Sequence, residues 1–419
     1  MNFNKSILSK DFILMAIGQI VSLFGNQILR FALPLYMLHQ TGSSALFGTI
    51  SAVSFIPMLL LFPVGGIIAD RANKRNIMVI LDFCTSVLVF FFALAANKFD
   101  VVPLIAATLL ILFAIQGAYQ PAVKASVPVL VDAEHLMLAN SVVDVISSLA
   151  SMLGPVIGGL LYTAIGLPPI LYICIGCFFG SAVMEIFIHI PFQKKHIQSG
   201  IIVAGYHDLR ESFGYVFRQK TIIWKMAVIY GATNLLLSAL FVIALPVLIT
   251  QIMGFPEDTA NQLYGYAEGV IAVGSSVGGV LAGALSKKLR PKMLPYLTGG
   301  CALSILHGGI ALHMIPSPMA VYVVLVGGCC VFMIFSALFQ IQMMSYVQIL
   351  TPNDLIGKVT SCVICVCMCS APIGQFLYGI VFEHIGKYTY LPFYIAAVIV
   401  IGMGIMTRHI FYEVDNEIS

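Results

Sequence analysis

From Phe31 to Ala69 the chain has no Lys, Arg, Asp or Glu, and it then sets Asp70, Arg71, Lys74 and Arg75 into one short turn. Uncharged stretches of membrane-crossing length joined by a charged turn leave few folds open. In lipid the backbone polar groups must pair within the segment, so each stretch is expected to be a helix with the turn in water. The rest of the chain repeats the pattern. Of 419 residues, 60% are hydrophobic and 9% charged, against roughly 25% charged in an average soluble domain. Twelve apolar runs lie at approximately 12–38, 45–69, 77–97, 102–123, 138–165, 168–190, 221–250, 262–285, 293–315, 318–346, 355–382 and 389–411. The expectation is an all-α membrane protein with twelve transmembrane helices. The first run is too long for a signal-peptide core and lacks a small-x-small cleavage site, so it is expected to remain as a helix.

Orientation follows from Lys and Arg in the short loops. With both termini cytoplasmic, eighteen of the 21 basic residues fall inside, two (Lys98 and Lys387) fall outside, and Arg30 lies within the first span. The net charge of +3 is this topological bias, and no basic-aromatic surface offers a nucleic-acid site. The expected location is a bacterial cell membrane, inner or plasma, crossed many times.

Near-constant offsets indicate a duplication. Phe31-Ala32-Leu33-Pro34 matches Ile243-Ala244-Leu245-Pro246 at an offset of 212, and Gly65-Gly66 matches Gly278-Gly279 at 213. Leu136, Pro155 and Leu161-Tyr162 fall opposite Leu355, Pro372 and Leu377-Tyr378 at 216 to 219. Two six-helix bundles, 1–190 and 221–419, are therefore expected. The hydrophilic stretch 191–220 joins them as a cytoplasmic linker, with Leu209, Phe213, Val216 and Phe217 at the spacing of a helix lying on the membrane surface.

The turn Gly66-x-x-x-Asp70-Arg71-x-x-Lys74-Arg75 resembles the loop between the second and third helices of major facilitator superfamily transporters. With two halves and twelve spans, that resemblance covers nearly the whole chain. Gly154-Pro155-Val156-Ile157-Gly158-Gly159 looks like the Gly-Pro-x-x-Gly-Gly motif of drug:proton antiporters. Its surroundings, Gln120-Pro121-Ala122 and Ala139-Asn140-Ser141, look like the branch that includes macrolide-efflux proteins and some siderophore exporters. The resemblance implies the major facilitator fold, a substrate site between the halves, and gating by Gly66, Asp70, Arg71, Lys74, Arg75, Gly154, Pro155, Gly158 and Gly159. Physically, Pro155 removes a backbone donor, and the glycines let a neighbouring helix approach at backbone distance. Span 8, with Gly265, Gly269, Gly274, Gly278, Gly279 and Gly283, is the expected partner. One departure stands out. Antiporters of this type carry an Arg in span 4 before a Gln-Gly pair, whereas Phe113 stands there ahead of Gln116-Gly117.

Polar residues recur on single helix faces: Gln19, Ser22 and Asn26 in span 1, Gln116, Tyr119 and Gln120 in span 4, and Tyr230, Asn234 and Ser238 in span 7. Phe335, Phe339 and Gln340 mark span 10. These are the candidate substrate-cavity residues; bonding to neighbouring helices is the alternative. Arg30 ends the span 1 stripe, and a charge there costs roughly 2.5–3.5 kcal/mol on insertion scales, so it needs an interior partner. Glu268 in span 8 is the expected partner and proton carrier. Asp144 in span 5 reads equally as a gate contact or a coupling site. Asp82 is expected to pair with Arg71, Lys74 or Arg75, and Glu185 to snorkel to the interface.

Other features carry less. Cys362, Cys365, Cys367 and Cys369 have metal-like spacing but sit in a membrane helix with no companion cluster, so packing is expected. His307 is expected to be structural. No disulfide framework is implied. Gly357-Lys358 lacks the upstream glycine of a phosphate-binding loop. No cofactor, metal or catalytic constellation is expected.

The leading functional expectation is a monomeric secondary transporter, not an enzyme, that exports an amphipathic, drug- or macrolide-like molecule in exchange for protons. Export of a native metabolite such as a siderophore or lipid-like compound is the alternative within that class. A non-transporting membrane sensor or assembly subunit is the alternative outside it.

Overall fold

The computed structural model describes residues 9–96, 98–132, 135–190, 221–285, 288–352 and 355–418. The side chains of Pro63, Ile67, Asp70, Arg71, Met137, Ile356, Lys358, Ser361 and residues 416–418 lie outside that description, as does the whole expected linker helix in 191–220.

Twelve helices are long and apolar enough to cross a membrane. In chain order they are α1 Lys10–Thr41, α2 Ser44–Arg71, α3 Lys74–Ala95, α4 Val101–Leu130, α5 Leu136–Ile165 and α6 Leu167–Ile186. Then follow α7 Thr221–Ile252, α8 Glu257–Leu285, α9 Leu294–Met314, α10 Pro318–Ile349, α11 Ile356–His384 and α12 Leu391–Ile418. Among the described residues there is no strand. The count is the expected one, but several helices outrun their apolar runs: α4 continues to Leu130 and α8 starts at Glu257. Backbone pairing carries on where side chains re-enter the interface, because helix is favoured by the ladder of hydrogen bonds and not by hydropathy alone.

Helix ends follow local chemistry. Ser9 Oγ accepts from Phe12 N at 3.4 Å to cap α1. The helix closes at Gly42, which adopts φ 64 and donates to Leu38 O at 2.9 Å. Asn73 caps α3 through Arg75 N at 3.1 Å. α10 starts on Pro318 and α6 carries Pro168 as its second residue; proline is pre-set for a first turn. α7 contains two wider turns, Asn234–Ser238 and Leu248–Ile252, the second just past Pro246. Such π-turns place an extra residue on one face and often mark functional positions.

The helices form two compact units. The first holds α1, α3–α6, α2 from Val53 onward, and α8 from Glu257 to Gly269. There α1 packs on α4, α5 and α6, and α3 packs on α4 and α6, around Phe12, Met15, Met78, Val123 and Val127. The second holds Ser43–Ala52, α7, α8 from Val270, and α9–α12. There α9 packs on α10 and α12, and α11 on α7, around Met226, Met343, Val347, Val363 and Phe411. Side chains such as Leu60, Val280 and Met406 are 65%, 74% and 81% exposed, as lipid-facing positions require.

Candidate functional site

In the first unit, the stripe on α1 divides between three environments. Gln19 is fully buried, with both amide atoms unpartnered. Ser22 donates its hydroxyl to Asp82 Oδ1 on α3 at 2.9 Å. Asn26 is half-buried, and its side-chain oxygen also lacks a partner. Arg30 lies over the Phe113 ring of α4, its guanidinium carbon 4.0 Å from the centroid, and Phe55 of α2 packs on that ring at 4.9 Å. A cation over an aromatic face is held by the ring quadrupole. On α4, Gln116 and Gln120 are half-buried, whereas Tyr119 is 5% exposed.

Three acid expectations change. No ion pair joins Arg30 to Glu268: the arginine rests on Phe113, and Glu268 is hydrogen-bonded to Tyr264, one turn earlier on α8. Tyr264 in turn stacks on Phe31 at 4.8 Å. Asp82 takes its bond from Ser22, and neither Lys74 nor Arg75 reaches it. Arg75 instead donates to Ile186 O at 3.4 Å, tying α3 to the end of α6. Glu185 does not snorkel. It is fully buried and accepts from Tyr119 Oη at 2.8 Å, because Gly18 of α1 leaves space against its side chain: a Cβ there would sit 3.4 Å from Glu185 Cγ. Asp144 is exposed on α5.

The Gly-Pro-x-x-Gly-Gly segment of α5 presents two faces. A Cβ on Gly158 would meet the Phe31 ring at 3.2 Å, and Gly154 faces Gln27, so both pack on α1. Gly159 faces α8, where a Cβ would meet Asn261 O at 2.9 Å and Gly265 Cα at 3.2 Å. Pro155 O lies 2.9 Å from the corresponding position on Gly265. Of the α8 glycines, Gly265 and Gly269 are the ones against α5. Gly274 and Gly278 pack on α10, and Gly279 and Gly283 face open space. In the charged turn, Gly66 has nothing within 4 Å, while its neighbour Gly65 packs on Gly117 and Ala118 of α4. The side chains of Asp70 and Arg71 in that turn lie outside the described set.

In the second unit, Asn234, Ser238, Phe339 and Gln340 line one small pocket with Thr233, Thr298 and Ser336. The polar groups there form a chain. Tyr230 Oη donates to Gln340 Oε1 at 3.0 Å, and Gln340 Nε2 donates to Ser336 Oγ at 3.0 Å. Asn234 Nδ2 donates to Tyr230 O at 3.1 Å, placing the amide at the start of the wider turn of α7. Phe335 is turned away, against Gly300 of α9.

Sequence reasoning overlooked two arrangements. One is the Ser22–Asp82 and Glu185–Tyr119 cluster; Gly18, Ser22 and Tyr119 were its only traces. The other is Glu383 at the end of α11, which accepts from Ser43 Oγ, Ser44 Oγ and Ala45 N at 3.2, 3.1 and 3.1 Å. None of the ten cysteines is in a disulfide, and no metal-binding group of three occurs among the described residues.

Twelve membrane-length helices among the described residues, with an arginine and several carboxyls carried inside the spans, are the architecture of a multi-pass membrane protein. The chain belongs to the Major Facilitator Superfamily, whose family model matches residues 15–374. Macrolide efflux protein A of Streptococcus pyogenes is 24% identical to it over 379 residues, 88% of each chain. The uncharacterized MFS-type transporter YfiS of Bacillus subtilis (strain 168) is 23% identical over 404 residues, 93% of this chain and 90% of that one. Among solved structures, a bacterial homologue of the human lysosomal transporter Spinster shares the fold. Its TM-score is 0.74 at 12% identity, covering 97% of this chain and 98% of that one. These relatives are transporters, not enzymes.

Proposed function

We propose that this transporter exports an amphipathic, macrolide-like molecule across the cell membrane in exchange for protons, with both termini cytoplasmic, and that it works as a monomer by alternating access. The observation that carries this reading is the 379-residue match to Macrolide efflux protein A. Tyr230, Asn234, Ser238, Phe339 and Gln340 of the second unit and Asn26, Arg30, Gln116 and Gln120 of the first contact substrate in this reading. Glu268 exchanges a proton during the cycle. Gly159 and Gly265 supply a smooth crossing on which helices slide.

A proton moving inward releases about 2.3 kcal/mol per 100 mV. At ~1.4 kcal/mol per tenfold, one proton supports roughly a 40-fold gradient of a neutral substrate, enough for useful efflux. The test is transport in proteoliposomes with a radiolabelled macrolide and an imposed pH gradient. Accumulation that collapses with the gradient supports the reading. Accumulation indifferent to the gradient removes the proton, and no flux of any macrolide removes the substrate class.

A further inference from the structure

Asp82 and Glu185 come from different helices, α3 and α6, yet both end in the interior of the first unit. Asp82 is 2% exposed and Glu185 fully buried, and both come against the same turn of α1, Asp82 at Ser22 and Glu185 beside Gly18. Each has one oxygen satisfied by a neutral hydroxyl: Ser22 Oγ donates to Asp82 Oδ1 at 2.9 Å, and Tyr119 Oη donates to Glu185 Oε1 at 2.8 Å. The second oxygens, Asp82 Oδ2 and Glu185 Oε2, are buried and without a partner, as are both amide atoms of fully buried Gln19, three residues before Ser22 on α1.

Among the described side chains no cation answers these two acids; that of Arg71 lies outside the description. α1 faces them with uncharged Gly18, Gln19 and Ser22; α4 contributes Tyr119; α3 and α6 contribute the acids themselves and Ser181, which donates to Gly18 O at 2.9 Å. Lys10, Lys74 and Lys124 on these helices bond to neither carboxylate. Arg75 reaches the end of α6 but uses its guanidinium on Ile186 O.

Burying one unpaired carboxylate costs several kcal/mol, and a second beside it adds like-charge repulsion. A proton bonded to one of the two carboxyls removes one charge and supplies one O–H donor to a cluster whose unpartnered oxygens have none. We propose that Asp82 and Glu185 form a proton-binding site inside the first unit, holding one proton between them, with Ser22 and Tyr119 as positioning residues. The proton enters as H⁺, bonds to one carboxyl oxygen and leaves the same way; no other bond changes. Ser22 shares its helix face with Asn26 and Arg30, so a shift of α1 on substrate binding alters the hydroxyl that holds Asp82. This last coupling rests on the proton-exchange reading above; the site itself does not.

The site is testable without substrate, on the full-length protein in lipid nanodiscs, through the infrared carbonyl band of protonated carboxyls across a pH series. The expected result is a titrating band that shifts in Asp82→Asn and in Glu185→Gln, loses one proton's intensity in the double variant, and persists in Glu268→Gln. Tyr119→Phe and Ser22→Ala keep both acids and are expected to move the band's midpoint, which a purely structural cluster would not do. A double variant that is monodisperse and melts like the parent yet keeps the full band overturns the proposal. So does loss of the band on adding sodium at fixed pH, which makes the ligand a metal cation. If the band behaves as expected while proteoliposome flux ignores the pH gradient, the coupling reading fails and the site stands. Gradient-driven flux without the band is the reverse outcome.

Discussion

Arg30 on α1 rests 4.0 Å above the Phe113 ring on α4. Phe113 occupies the place where the antiporters that the chain resembles carry an arginine of their own. The intramembrane cation is therefore present against the same helix, but it is delivered from α1 and held by an aromatic face. Arg30→Leu is expected to abolish transport while leaving the fold intact. Phe113→Leu is expected to lower stability by about 0.5–2 kcal/mol, the range for a cation–π contact, with Phe113→Tyr close to the parent. Flux and thermal melting of the purified variants check both; parental flux from Arg30→Leu would refute the assignment.

The crossing of α5 and α8 gives a graded steric series. At Gly159 a methyl meets the Asn261 carbonyl at 2.9 Å, and backbone cannot move aside as a flexible side chain can. Gly159→Ala and Gly265→Ala are expected to destabilise by about 1–3 kcal/mol, the usual cost of overpacking. Gly279→Ala, with nothing within 4 Å, is expected to stay within about 0.5 kcal/mol. Melting midpoints of the three variants measured side by side decide the matter, and equal shifts would contradict it.

Glu383 caps the start of α2 through two hydroxyls and the Ala45 amide. A carboxylate at a helix N-terminus is favoured by the dipole by about 0.3–1 kcal/mol. Glu383→Gln keeps the shape and loses the charge, so a small drop of that size in melting stability is expected, screened by added salt. Glu383→Ala, which also removes the acceptor of the Ala45 amide, is expected to lose more. A Gln variant indistinguishable from the parent at low salt would show the cap to be without energetic consequence.

Tyr230, Gln340 and Ser336 form a relay in the second unit. Tyr230→Phe removes one donor and is expected to cost about 0.5–1.5 kcal/mol. Gln340→Leu strands two hydroxyls and is expected to cost about 1–3 kcal/mol. If this pocket binds substrate as proposed, macrolide-dependent thermal stabilisation falls in both variants, more in the second. Unchanged stabilisation would move substrate binding elsewhere.

The number of spans was legible in the sequence, because hydropathy is a local property summed along the chain. Facing was not. Water imposes a polar side on a surface helix, but lipid tails are as apolar as a protein interior, so most residues on these helices carry no mark of which way they point. Glu185 read as an interfacial acid from its position near the end of a span, and only the approach permitted by Gly18 and the hydroxyl of Tyr119 put it inside. Asp82 read as a partner for the nearby basic turn, and Ser22, sixty residues away, took that place. The α8 glycines read as one surface, whereas the helix's 3.6-residue period sends Gly265 and Gly269 to α5 and Gly274 and Gly278 to α10. Membrane insertion is decided by the composition of each segment, but the pairing of buried polar groups is decided by which helices touch, and contact is a property of the folded chain alone.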